Sequence, residues 1–466
     1  MKKTIGIQIG PDSFVDEGVE EVLDILQQKG AINTLYLSTF SYDRGITGRQ
    51  IPGQPFPDHG AQESDENYFH GGNYAQPNAR FYEKTVLKGE KLRAPDFGNL
   101  DIVAAVLPAA KKRGMKVYCS VQDGFNYPDD VDLVKNLAEV NLQGKQEGAM
   151  CFFHPEVRAF WTALVTDLCS SYAIDGILLF NERNGPLLNA IGVSHAQHIE
   201  SAKVTCFCKY HEQEAKAKGI HFQKAKEGYL KLNEFVQNSL NGRRPSDGYY
   251  VEFSRLLFAY PEIMAYNQLF DQGKHQVLKD IYTQVKSINK DLEVGFHIEH
   301  TNSFNPLYRA SRDYSELATM ADFLKVVVYN NCGGERYAGF IRNVSATVFK
   351  DVPPEELLQI NNCLLNYTNE ASLDQLPKAG LSPDYVFRET QRALAGVSGK
   401  SRILPGIDVN IPARVKDMAT PDDTYNATLA ALKAGADGVI LSRKYSEMWF
   451  SNLEAAGKAA RDFESI

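Results

Sequence analysis

Residues 171–186, SYAIDGILLFNERNGP, decide how the rest of the chain is read. From Ile174 to Phe180 the stretch is almost wholly apolar and is introduced by Asp175-Gly176, which is how a parallel strand covered on both faces reads. At Asn181-Glu182-Arg183-Asn184 it turns abruptly polar. Four polar groups straight after a buried strand are poor packing, so the C-terminal end of this strand is expected to open into a site.

Working outward, the same unit recurs. Upstream, 4–9 (TIGIQI) reads as a first strand, and Val15, Val19, Val22, Leu23 and Leu26 follow at helical spacing. A second strand, 34–40 (TLYLSTF), feeds a long Gly- and Pro-rich excursion over about 41–95. Its aromatics (Tyr42, Phe56, Tyr68, Phe69, Tyr74, Phe81, Tyr82) predict an ordered loop folded over a site, with Asp43, Arg44, Arg49, His59 and His70 as its polar groups. A helix over 100–114 leads to a third strand, 116–121 (KVYCSV), which ends in Gln122-Asp123-Gly124, and a helix over 154–170 delivers the chain to the fourth. Downstream, a helical insertion over about 185–290 precedes a fifth strand, 293–298 (EVGFHI), ending in Glu299-His300. A sixth strand, 322–329 (DFLKVVVY), is followed by helices over 354–365 and 385–395. The seventh, 402–409 (RILPGIDV), and the eighth, 437–442 (DGVILS), flank a helix over 425–435.

Eight strand signals alternating with helices predict an α/β chain folded as one (β/α)8 TIM barrel over 1–466, with insertions after strands two and four. A doubly wound open sheet is the alternative, but Gly10-Pro11-Asp12 stands where its Gly-rich phosphate loop would be.

The 466 residues are 43% hydrophobic and 11% aromatic, enough for a large core, and the formal charge of -8 with no Lys/Arg block argues against nucleic acid. No apolar run reaches the roughly 18 residues of a membrane span. Met1-Lys2-Lys3 leads straight into a strand-like segment with no signal peptide, although an exported chain without its leader would look the same, so the compartment stays open. The seven cysteines read as buried thiols. Cys206-Phe-Cys208-Lys-Tyr-His211 alone has ligand-like spacing, and the sequence offers no fourth ligand nearby.

In a barrel the C-terminal strand ends share one mouth. That mouth gathers Asp123, Glu182, Glu299, Glu335 and Asp408 with Asn181, Arg183, His297, His300, Tyr329, Arg336, Asn410 and Arg443, and the loop adds Arg44 and His70. Carboxylates and aromatics together suit a carbohydrate. Hydrolysing a glycosidic bond needs one protonated and one ionised carboxyl group. Glu182 is the expected acid/base, Asp408 or Glu299 the second carboxylate, and no cofactor or metal is called for. Asn181 is placed to bond a sugar 2-hydroxyl, and the remaining mouth residues are expected substrate contacts.

HPEVRAFW (154–161) and YAIDGILLFNER (172–183) resemble the helix and fourth strand of barrel glycoside hydrolases. The strand-final Asn-Glu pair resembles the signature of clan A, which implies the acid/base role for Glu182 and a sugar-contacting role for Asn181. The same resemblance implies a nucleophilic Glu at the end of strand seven, where this chain has Asp408 in ILPGIDVNIP. A shorter side chain widens the gap between carboxyls towards the inverting range of roughly 6.5–9.5 Å, as against about 5–5.5 Å for retention. CFCKYH also resembles Cys-rich insertions after strand four of some such hydrolases.

Two other classes use the same residues. A metal-dependent sugar isomerase or aldolase would gather Glu182, His297, Glu299 and Asp408 around a divalent ion. A carbohydrate-binding pseudoenzyme would keep the mouth without an effective second carboxylate. Convergence of Arg44, Arg183, Arg312, Arg336 and Arg443 would mark an anionic sugar. Oligomeric state is not legible.

Overall fold

The computed structural model describes residues 3–48, 58–60, 68–123, 132–192, 204–410 and 419–465. Arg49, Phe56 and Gly124 lie outside the described residues.

Eight parallel strands alternate with helices in a sheet that curls on itself: β1 (Thr4–Ile9), β2 (Thr34–Ser41), β3 (Lys116–Gln122), β4 (Gly176–Phe180), β5 (Glu293–Ile298), β6 (Phe323–Val326), β7 and β8 (Gly438–Ser442). β7 comes in two segments, Arg402–Ile403 and Gly406–Asp408. The first pairs with β6 and the second with β8, so β7 closes the circle. Pro405, which has no N–H to donate, sits at the break. The sequence predicted one strand over 402–409; the two halves serve different neighbours instead. The predicted sixth strand over 322–329 ends as a strand at Val326, and Val327 continues it by a single parallel bridge to Gly406. The chain has the (β/α)8-type barrel architecture of the α/β class.

Outside the strands lie α1 (Val19–Gln28), α2 (Ile102–Lys112), α3 (Pro155–Ser171), α4 (Glu262–Ile288), α5 (Asn331–Ala346), α6 (Pro383–Val397), α7 (Pro421–Lys433) and α8 (Phe450–Glu464). Each turns an apolar stripe to the sheet; in α3 this is Val157, Phe160, Trp161, Leu164, Val165 and Leu168, all buried. Between β3 and α3 a small antiparallel hairpin, Ala138–Val140 with Gln146–Met150, rises beside the mouth. Its short strands carry no clear period-two alternation, so it leaves no periodic signal in the chain. Among the described residues no helix is long and apolar enough to cross a membrane.

At the N-terminal end of the barrel one device repeats at every second strand. Asn33, Asp175, Asp322 and Asp437 stand immediately before β2, β4, β6 and β8. The backbone N–H of each donates to the carbonyl of Ile5, Val117, Val294 and Ile403 respectively, in the preceding strand. The side-chain oxygen of each accepts the N–H of that same residue, at 2.7–3.0 Å. The carbonyls of these four then accept the N–H of Lys116, Glu293, Arg402 and Thr4, the first residue of the next strand. The hydrogen-bonded belt is continuous and fixes the register at its base.

Above the belt the lumen is filled by Tyr36, Tyr118, Leu178, Phe180, Phe323, Leu404 and Ile440. Tyr36 and Tyr118 stack at 5.2 Å and Phe323 meets Tyr118 edge-on at 5.5 Å. Gly6 and Gly295 make room: a Cβ there would lie 2.5 Å from the Tyr36 ring and 2.1 Å from the Phe323 ring. This aromatic plug is the floor on which the mouth stands.

Candidate active site

Directly above the plug is a buried polar layer. Lys325 of β6, wholly buried, donates to Gln8 Oε1 of β1 and to the Tyr329 hydroxyl at 3.0 Å, and Ser442 of β8 donates to the same Gln8 oxygen at 2.6 Å. Burial holds the Lys325 amine well below its usual range, against the opposing pull of Glu182.

Glu182 and His297 come next. Glu182 follows β4, His297 lies on β5, and His297 Nε2 is 2.8 Å from Glu182 Oε1. The Glu182 side chain is 35% exposed while His297 is 1% exposed, packed against the Phe180 ring at 4.7 Å. Burial, and then the Lys325 charge, press His297 down to about 4, so the imidazole is neutral at pH 7. Arg443, half-buried after β8, lies in the field of both Asp43 and Glu182 and donates to the Gly45 carbonyl at 3.2 Å. Tyr329 lies within the fields of Glu182, Arg443 and Arg336.

Other strand-end residues hold the walls. Asp408 is fully buried, and its two oxygens accept the N–H groups of Asn331 (3.2 Å) and Cys332 (2.8 Å), which open α5. Burial pushes its carboxyl up to about 6 against the pull of those two amides. Glu299, 2% exposed, is enclosed by Tyr308, Lys274 and Arg312, whose nitrogens lie at 3.8 and 3.6 Å. Burial raises it, more than the two cations lower it.

Asn181 donates to Asp123 at 2.9 Å. Arg183 turns away from Glu182: it pairs with Asp123 at 2.6 Å and Glu139 at 3.1 Å, donates to the Met150 carbonyl at 2.8 Å, and lies over the Phe152 ring. Asp123, buried beneath it, is raised to about 6 by desolvation. His300 joins the Tyr385 hydroxyl (3.0 Å) to Arg336 (3.2 Å). Asn410 accepts from Trp449 and Asn452 at the start of α8. His70 is bonded to the Gly71 carbonyl, and Arg44 lies over Phe69.

The structure thus brings Glu182, His297, Tyr329 and Arg443 together and commits Asn181, Arg183, Asp123, Glu299, Asp408 and Asn410 to partners within the protein. The five arginines do not converge, since Arg183 and Arg312 are held by buried carboxylates. Glu182, His297, Glu299 and Asp408 do not gather as metal ligands; among the described residues the one group that does is Cys151, Cys206, Cys208 and His211. The fourth ligand missing from the sequence is therefore Cys151, 57 positions before Cys208 and brought beside it by the hairpin.

By sequence Asp43 is a polar group of a loop folded over a site, but it is not among the expected catalytic or substrate-contacting residues. It is partly exposed at the end of β2, with one oxygen accepting the Gly45 N–H at 2.8 Å and the other Gln122 Nε2 at 3.1 Å. Like Glu182, and like Glu335 in the second turn of α5, it is reached by solvent, where Asp123, Glu299 and Asp408 are sealed.

No protein-family model and no curated protein matches the sequence. Solved structures do match. The chain is similar along its whole length to an α-L-fucosidase isoenzyme from Paenibacillus thiaminolyticus (TM-score 0.51, 12% identity, 49% of that chain). It is similar over 95% of its length to the PgaB (BpsB) glycoside hydrolase domain from Bordetella bronchiseptica (TM-score 0.50, 10% identity, 94% of that domain). A β-galactosidase from the psychrophilic Marinomonas ef1 matches over 100% of this chain and 60% of its own (TM-score 0.52, 12% identity). The chain spans about half the length of the fucosidase and three-fifths of the galactosidase. At these identities the likeness is one of fold: this chain carries the barrel found in glycoside hydrolase domains.

Proposed function

We propose that the protein hydrolyses a glycosidic bond of a carbohydrate at the C-terminal mouth of its barrel, with Glu182 as general acid/base. The observation that carries this reading is the setting of Glu182. It is a partly exposed carboxyl group at the end of β4, hydrogen-bonded to a buried neutral imidazole and standing over a dry polar layer. His297 fixes the direction of the Glu182 carboxyl, which in its protonated form would donate to a leaving oxygen and in its ionised form would accept a proton from water.

The second carboxylate has to touch the sugar or its attacking water. Asp408 has both oxygens engaged by backbone amides, and Glu299 is closed in by a phenol and two cations. Asp43 also accepts two hydrogen bonds, from the Gly45 N–H and Gln122 Nε2, but unlike the other two it is partly exposed to solvent, and it shares the field of Arg443 with Glu182. We therefore assign the nucleophile or base role to Asp43, with Glu299 and Asp408 holding the walls. Burial of the latter two also favours a second reading, a sugar-binding mouth without turnover.

Kinetics on a panel of aryl glycosides separate these. Glu182→Gln is expected to lose about 10²–10⁴-fold in kcat on poor leaving groups and far less on an activated one. Asp43→Asn should lose activity on both. Wild-type binding without any turnover establishes the second reading, and full activity in Glu182→Gln removes the acid/base assignment.

A further inference from the structure

Beside the mouth, but outside it, three thiols and an imidazole meet in the core. Cys151 follows the hairpin, Cys206 and Cys208 lie in the insertion after β4, and His211 is in the first turn of the helix Lys209–Ala217. Cys151 and Cys206 are 1% and 0% exposed, Cys208 9% and His211 0%. The two inserted cysteines are held in place by backbone pairing: Phe207 N–H donates to Val140 O at 2.7 Å, Leu142 N–H to Val204 O at 3.1 Å, and Asn141 bridges Thr205. The insertion thus forms a third edge on the hairpin.

Cys151 Sγ lies 3.5 Å from Cys208 Sγ and 3.3 Å from His211 Nδ1, Cys208 Sγ lies 3.7 Å from Nδ1, and all four ligand atoms fall within 4.8 Å of one another. A tetrahedron with Zn–S of about 2.3 Å and Zn–N of about 2.0–2.1 Å has edges of roughly 3.5–3.8 Å. Three sulfurs and a ring nitrogen converging in a dry core form a ligand set well suited to a cation of borderline softness. The Val140 N–H points at Cys206 Sγ from 3.4 Å, which stabilises a thiolate.

We propose that Cys151, Cys206, Cys208 and His211 form a structural zinc site that ties the β3–α3 hairpin to the insertion after β4. All four positions of the ion are filled by protein, the closed arrangement of a structural site. Ligation releases the thiol protons as the Zn–S bonds form, with no change of oxidation state. The site bears on the mouth through one residue: Arg183, next to Glu182, is gripped by Glu139 of the hairpin and by the carbonyl of Met150, the neighbour of Cys151. Zinc fixes the wall from which Glu182 projects.

The test uses the full chain purified under reductant, loaded with zinc alone and passed over a weak chelator. About one zinc per chain is expected to remain. Cobalt in its place should give thiolate charge-transfer absorption with intense tetrahedral bands. Cys206→Ser and His211→Ala should lower retention or shift those bands, and Cys363→Ser, at the exposed cysteine, should change neither. Folded wild type that retains no zinc, cobalt bound through oxygen and nitrogen only, or a Cys151–Cys208 disulfide in the native protein would each overturn the proposal. The deciding readouts are on the wild type, so a variant that fails to fold leaves them intact. Zinc retention does not depend on glycosidase activity, and either can fail alone.

Discussion

His297 is neutral where an exposed histidine is half charged, because burial and Lys325 outweigh the attraction of Glu182. A base depressed from about 6.5 to about 4 takes its proton in the unfolded chain before it does in the native one. Its contribution to stability is full above about pH 6.5 and is lost as pH falls through about 4. Asp408 runs the other way: raised to about 6, it contributes fully below about pH 3.9 and loses that as pH rises through about 6. His297→Gln should therefore remove up to about 3 kcal/mol of the acid-side decline between pH 6.5 and 4, read from urea unfolding at stepped pH. An unchanged pH slope would mean that His297 titrates alike in the native and unfolded chains. At this scale the sequence was legible where a side chain answers to its own strand. Glu182 ends β4 and His297 shares a strand face with Glu299, so both could be placed from the chain. Asn181 and Arg183 could not, because the partner that holds them, Asp123, is 58 positions away from Asn181.

Arg183 shows what an element gains from such a partner. It joins the end of β3, through Asp123, to the hairpin, through Glu139, in a nearly dry setting. Replacing it by Met keeps the packing over Phe152 but strands two buried carboxylates, and a loss of about 3–5 kcal/mol in unfolding free energy is expected. A loss under about 1 kcal/mol would show that Asp123 and Glu139 simply take up protons instead. The elements themselves were readable to within a few residues wherever apolar periodicity was strong, as in α3, β4 and β5. Strand seven was misread because a continuous apolar run does not reveal that Pro405 hands the chain from one neighbour to another. Cys151 was missed as a ligand because the hairpin that carries it has no periodic signature.

For the whole molecule the alternation of strand and helix sufficed to name a barrel, since eight such units have few other ways to bury their faces. What no linear rhythm displays is the belt at its base. Asp175→Ala, Asp322→Ala and Asp437→Ala should each cost about 1–3 kcal/mol of unfolding free energy, by leaving a strand N–H without its acceptor, while kcat stays put. A variant among the three that loses turnover while keeping its stability would refute this division between base and mouth. Those four latches recur at every second strand, whereas the strand ends at the mouth carry different residues in different contacts. One rim of the molecule is periodic and the other aperiodic. Diversity can therefore accumulate at the open rim without renegotiating the fold, and a library randomised at Asp43, Tyr329 and Arg443 should retain mostly folded members.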